Sequence, residues 1–212
     1  MAKTKRQNHK RKAPDWKALF FELIVVFLGV TAGFLLNNWQ LDKKDKLQEK
    51  KYLNGFLQDV RANIETLKQA VVSDSLWMVQ TQSKLAQIKA GTITNDSADV
   101  VIKRLLKLSK LNVKKGTYEN ITDSGNLNII TAYDLREQIV DYHVTISGVE
   151  FIDEYFYQYF DDYVMPFIFN NVNMMDATLI DSDVKGIIAF SNVVGGYYSM
   201  VQQRQTAYND LL

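Results

Sequence analysis

The sequence predicts an all-α fold: one N-terminal transmembrane helix continuing into a long heptad-patterned helix, with an antiparallel extramembrane helical bundle. Three observations predict it. Residues 18–36 are apolar apart from Glu22 and Thr31. Further on, apolar side chains recur at alternating spacings of four and three. The composition has only 2 prolines and 10 glycines in 212 residues, which favours helices over a sheet protein full of turns. The absence of cysteine excludes disulfides and thiolate chemistry.

Residues 1–17 read as a basic cytoplasmic tail, too short and polar to fold. Seven Lys or Arg (3, 5, 6, 10, 11, 12 and 17) stand there against Asp15 alone. From Ile146 onward the balance reverses, with Lys185 and Arg204 against nine acids. The net charge is only +1, so no nucleic-acid partner is expected. The basic head suits an anionic lipid surface instead.

Residues 18–39 have the length one helix needs to cross a hydrocarbon layer roughly 30 Å thick at ~1.5 Å per residue. Trp16 and Trp39 flank the stretch, roughly 34 Å apart at that rise, as interface anchors at the two headgroup levels. Thr31-Ala32-Gly33 offers the small residues of a signal-peptide cleavage site. The apolar core is nonetheless longer than the ~7–15 residues usual there, and no good A-x-A site follows. An uncleaved anchor is expected. The basic flanks, seven against Lys43, Lys44, Lys46, Lys50 and Lys51, place the N-terminus in the cytoplasm. A cytoplasmic bulk domain is the alternative.

Within the span, Gly29 and Gly33 form a G-x-x-x-G, a spacing that lets a second helix approach closely. Glu22 lies within about 40° of arc of both glycines. Two readings stand side by side. Glu22, Gly29 and Gly33 form a membrane helix–helix seam with a carboxyl group inside it, or Glu22 snorkels to the headgroups.

After Leu41 the chain turns charged and then periodic. Leu53, Leu57, Val60, Ile64, Leu67, Val71, Met78, Leu85 and Ile88 fall on a 4-3 spacing that only Asp74 and Thr81 interrupt. This marks a coiled coil or the core face of a long bundle helix. Nothing breaks the helix before Gly91, so the crossing is expected to run on as one rod to Lys89.

A second helix begins at Asp96 or Ser97. Val101, Leu105, Leu108 and Leu111 form one stripe and Lys103, Lys107, Lys110 and Lys114 another. This basic amphipathic helix either meets an anionic surface or acidic partner, or is an ordinary bundle helix with a solvated face. Residues 117–120 open a short helix that Ser124-Gly125 closes with a glycine C-cap. Thr131 and Asp134 cap a third long helix, running to about Val164 and ended by Pro166. Its apolar face carries Leu135, Ile139, Tyr142, Ile146 and Val149. Its second half is crowded with aromatics, of which Tyr155, Tyr159 and Tyr163 are the candidate partner or ligand surface. Residues 167–179 read as an Asn-rich link. A last helix starts near Val184, with Ile188, Val194, Tyr198, Val201 and Tyr208 inward and Gly195-Gly196 allowing close approach or a kink.

Catalytic chemistry is not evident. His9 and His143 are too few for a zinc quartet without cysteine, and His143 is read as a half-buried or surface imidazole. Asp181-Ser182-Asp183 resembles the start of a calcium loop. However, Lys185 occupies its fifth position and Asn192 its twelfth, so helix capping by Asp181 or Ser182 fits better. There is no nucleophile elbow, phosphate loop or dinucleotide fingerprint. Asp153-Glu154 and Asp161-Asp162 are adjacent acids pointing different ways on a helix. No enzyme activity, metal or cofactor is expected.

Three blocks carry a family resemblance: Glu22 to Gly29 with Asn37-Asn38-Trp39; Glu49-Lys50-Lys51-Tyr52-Leu53; and Thr117-Tyr118-Glu119-Asn120 with Ser124-Gly125-Asn126-Leu127-Asn128-Ile129-Ile130. Together they resemble a family of single-pass envelope membrane proteins found mainly in Bacteroidota, a domain of unknown function. The resemblance covers roughly residues 22–142. It implies a bacterial inner-membrane protein with a helical extramembrane domain, which the N-in orientation makes periplasmic, and brings no catalytic residues. The domain plan expected is a tail (1–17), a transmembrane helix (18–39) and an extramembrane helical domain (40–212).

The expected function is that of a scaffold or accessory subunit of an envelope complex, self-associating or bound to another membrane protein. The alternatives are a ligand-sensing bundle that signals through a partner and an ion-coupled subunit using Glu22.

Overall fold

The computed structural model describes residues 16–108, 110–181, 183 and 188–212. The basic tail up to Asp15, the cap at Ser182 and the helix start near Val184 lie outside them. The chain divides into two compact units, Met1–Lys50 and Lys51–Leu212.

The described part of the first unit belongs to α1 (Trp16–Lys89), a single helix of 74 residues. It is the one helix among the described residues long and apolar enough to cross a membrane, and its apolar window buries nothing within the chain. Phe20, Leu23, Phe27, Val30 and Phe34 are all exposed. The Lys43 ammonium lies 5.1 Å above the Trp39 ring, a cation–π contact at the charged edge of the stretch.

The second unit is the helical bundle. Around the last part of α1 it places α2 (Asn95–Leu105), α3 (Gly116–Asp123), a 3₁₀ turn (Leu127–Ile129), α4 (Tyr133–Tyr159), α5 (Met165–Asn171) and α6 (Ile188–Leu211). Two short strands, β1 (Val172–Asn173) and β2 (Thr178–Leu179), pair antiparallel between α5 and α6. Contacts at Asp74–Arg204 and Trp77–Tyr197 make α6 antiparallel to α1. Those at Asp153–Tyr208 and Tyr159–Val193 make it antiparallel to α4 as well.

The apolar stripe of α1 is wider than the 4-3 seam and rotated from it. Phe56, Asn63, Leu67, Asp74, Trp77, Thr81 and Ile88 are the buried residues, while Leu57 is 47 % exposed. One heptad track, that of Leu67, Asp74, Thr81 and Ile88, lies at the centre. Phe56, Asn63 and Trp77 are buried along one side of it, and Val71, Met78 and Leu85 of the Leu57 track pack part-buried along the other. This is the core face of a bundle helix, occupied by the chain's own α4 and α6, and not a two-stranded seam.

Three apolar clusters are strung along that face. Phe56 packs with Ile121 and Ile130. Leu67 packs with Leu111, Ile146, Val149 and Tyr208. Trp77 and Ile88 join α2, α4, α5 and α6 in the largest cluster, around Ile102, Phe156, Phe190 and Val194.

Glycine ends α1 and α3 in the same way. Gly91 and Gly125 have φ of 65° and 68°. The flanking amides of Thr92 and Asn126 reach back to the carbonyls of Gln87 (2.9 Å) and Ile121 (3.0 Å), the Schellman arrangement.

Three sequence expectations need correction. The basic stripe is not one helix, since α2 ends at Leu105, leaving Lys103 within it and Lys107, Lys110 and Lys114 beyond. The cause is Asn63. Its side chain donates to the Lys114 carbonyl at 2.8 Å and accepts from the Lys114 amide at 2.6 Å, satisfying that backbone in place of a helical ladder. Leu111 is then buried from a non-helical segment, and Leu108 is 40 % exposed.

Second, Pro166 does not end the long helix. A π-turn at Phe160–Val164 inserts a residue, and the Met165 amide bonds back to Phe160. The proline's missing N–H therefore falls in the first turn of α5, where it is tolerated. Third, α4 begins at Tyr133 with Ala132 at the N-cap position, one residue past Thr131.

Gly196 is required by packing. A Cβ there would lie 2.0 Å from the Tyr159 hydroxyl, which donates to the carbonyls of Asn192 (3.1 Å) and Val193 (3.3 Å).

Candidate functional site

The most chemically distinctive place in the bundle is a charge network inside its core. Asp74 occupies the central α1 track, where a leucine would be expected. Its carboxylate accepts two hydrogen bonds from Arg204 of α6, Nη2 to Oδ1 at 2.6 Å and Nε to Oδ2 at 3.0 Å. Both residues are buried, at 4 % and 3 % exposure. Two short parallel contacts are the geometry of an ionised carboxylate on a guanidinium. The Arg204 guanidinium also stacks on Phe156, 4.0 Å from its ring centre. Next to this pair Gln205 donates to the Ser75 hydroxyl.

The network continues toward α4. Tyr208, one turn after Arg204, donates to Asp153 Oδ1 at 2.5 Å, and Asp153 is 6 % exposed. A second buried carboxylate thus lies within electrostatic reach of the cation that Asp74 holds. Burial raises the Asp74 carboxyl above its ordinary value, opposed by the hydrogen bond and charge of Arg204. Burial likewise raises Asp153, opposed by Tyr208, Arg204 and the Leu111 backbone. At Arg204 burial works against the cation, but Asp74 outweighs it and holds the guanidinium above its usual value. Tyr157 is pushed up to about 12, chiefly by burial.

A cavity opens at each end of this chain of groups. Asp153 and Tyr157 lie in a cleft of about 610 Å³ whose walls also hold Lys110, Lys115, Glu150 and Asp161. Lys115 pairs there with Glu150 at 3.0 Å. At the other end, Asp74 and Arg204 border a pocket of about 60 Å³ with Trp77, Arg104 and Lys107. Among the described residues, Arg204 Nη1, Trp77 Nε1 and Thr81 Oγ1 are buried without a hydrogen-bond partner. A buried polar group left so costs about 1–3 kcal/mol.

The residues singled out in the sequence are scattered. Glu22, Gly29 and Gly33 lie on the exposed apolar part of α1, and a Cβ at either glycine meets nothing within 4 Å. Trp16 and Trp39 are 76 % and 60 % exposed. Tyr155 and Tyr163 are open on the bundle surface at 49 % and 60 %, beside Phe151 at 66 %. Tyr159 is half-buried and spends its hydroxyl on α6, so it is a packing residue. His143 is buried rather than superficial. It stacks on Tyr118 at 3.9 Å between ring centres, and burial lowers its pKa.

The network itself was missed. Its signals were present: Asp74 is the one charge that interrupts the 4-3 pattern, and Arg204 is one of two cations in an acidic C-terminal third.

No family model matches this chain, and no curated protein or solved structure matches it either. The resemblance to the Bacteroidota envelope family therefore stands on its quoted motifs alone.

Proposed function

We propose that this chain is a single-pass, membrane-anchored helical protein serving as a scaffold or accessory subunit of an envelope complex. In this reading the N-terminus is cytoplasmic and the bundle lies on the periplasmic side of a bacterial inner membrane. The observation that carries it is the run of exposed apolar side chains on α1, among them Phe20, Leu23, Phe27, Phe34 and Leu35, each more than 60 % exposed. Such a continuous apolar surface needs lipid or another helix to cover it. The seven cations of residues 1–17 support the orientation.

Docking falls to two surfaces. The glycine face of the span is open to a second helix, since neither Gly29 nor Gly33 has a neighbour within Cβ reach. On the bundle, Phe151, Tyr155 and Tyr163 expose aromatic surface suited to a protein partner. The 4-3 face of α1 is not one of them, because α4 and α6 already cover it. Crosslinking in native membranes tests self-association. The expected result is an oligomer weakened by Gly29→Ile and by Gly33→Ile. A monomer that neither change affects would remove the claim. Loss of co-purifying protein on Tyr155→Ala with Tyr163→Ala would locate the bundle's docking face.

A second reading, ligand sensing, is favoured by the cleft of about 610 Å³ beside Asp153, a size typical of small-molecule sites. It places the ligand there rather than on Tyr155 and Tyr163.

A further inference from the structure

Two donors in the bundle core lack an acceptor among the described residues. Arg204 uses Nε and Nη2 on Asp74 and leaves Nη1. Trp77, at 7 % exposure, leaves its indole N–H. Unpaired polar atoms this deeply buried are rare in proteins and point to an acceptor supplied from outside the chain.

Both residues line the same pocket of about 60 Å³, together with Ser73, Asp74, Arg104 and Lys107. One water needs only about 10–15 Å³ of such space, so a group of several atoms fits, and a large ligand does not. The charges select its sign. Arg104, Lys107 and Arg204 stand against Asp74 alone, and that carboxylate is already engaged on both oxygens. A cation would be repelled, and a neutral group would leave the excess positive charge uncompensated.

We infer that this pocket is a binding site for a small oxyanion of carboxylate or phosphate size, held by Arg104, Lys107, Trp77 and Arg204. Lys107 is exposed and Arg104 half-buried, so an entering anion meets these two first. The Arg204 Nη1 and Trp77 Nε1 donors, sealed from solvent in this structure, are the ones the bound anion would satisfy. The occupant then ties α1 to α2 and α6 through charge-assisted hydrogen bonds. This site is independent of the docking surfaces proposed above.

The test uses the full chain in detergent micelles, with Trp16→Phe and Trp39→Phe leaving Trp77 as the single remaining indole of the three. Inorganic phosphate, acetate and chloride are titrated separately at matched ionic strength, reading Trp77 fluorescence and the thermal unfolding midpoint. The expected result is a saturable fluorescence change and a rising midpoint with phosphate or acetate, and neither with chloride. Lys107→Gln and Arg104→Gln, which leave the core pair intact, should each weaken the apparent Kd about tenfold. Flat titrations with both oxyanions, an equal response to chloride, or unchanged affinity in both variants would overturn the proposal.

Discussion

Arg204 of α6 grips Asp74 of α1 through two hydrogen bonds, at 2.6 and 3.0 Å, across 130 residues of sequence. Because Phe156 of α4 also lies against the plane of the same guanidinium, one side chain holds three helices in register. Taking two charges out of water offsets much of their attraction. The pair therefore contributes less to net stability than to fixing which residues of α1 and α6 face each other.

That distinction is measurable. Asp74→Ala strands a buried guanidinium and should destabilise the full chain by about 3–5 kcal/mol. The double change Asp74→Leu with Arg204→Met replaces both charges by apolar groups and should recover most of that loss. Denaturant titration compares them; equal losses in the single and double variants would mean that the buried charge is not the source of the effect.

Gly195 and Gly196 are neighbours with opposite expectations. A Cβ at position 196 would lie 2.0 Å from the Tyr159 hydroxyl and 2.5 Å from its Cζ, whereas one at position 195 meets nothing within 4 Å. Gly196→Ala should destabilise by about 1–3 kcal/mol through overpacking. Gly195→Ala should stabilise by roughly 0.5–1 kcal/mol, as expected for replacing an exposed helical glycine. Thermal unfolding of the two variants side by side checks the sign of each.

His143 gives stability a pH dependence. Burial is the largest influence on it and lowers its pKa in the folded chain from 6.5, so the unfolded chain takes up the proton first as pH falls. Between the lowered value and 6.5 the unfolded state holds more protons. Stability from this group is complete above 6.5 and is lost as pH falls through that window. His143→Phe keeps a ring against Tyr118 and should flatten this part of the profile. Denaturation midpoints between about pH 5 and 8 check it, and an unchanged slope would contradict it.

The apolar span, the helical class and the glycine stops at Gly91 and Gly125 were legible in the sequence because each depends on local chemistry alone. The phase of the α1 face was legible only in part. Leu57 and Phe56 are both apolar, and only the position of Ile121 and Ile130 decides that Phe56 turns inward. The lysines at 103, 107, 110 and 114 keep helical spacing, yet a distant amide, that of Asn63, holds the Lys114 backbone. Pro166 stops a helix by local rules, and the preceding π-turn removes the conflict. The candidate site depended most on tertiary structure. The pairings of Asp74 with Arg204 and of Asp153 with Tyr208 were not legible, because the partners lie 130 and 55 residues apart in the chain.

Anchorage through residues 18–39 is the claim on which the functional reading rests, and washing native vesicles with alkaline carbonate tests it most directly. The full chain is expected to stay in the membrane pellet, and a variant with Leu23, Phe27 and Val30 changed to lysine to enter the supernatant. Release of the unaltered chain by carbonate would contradict the account.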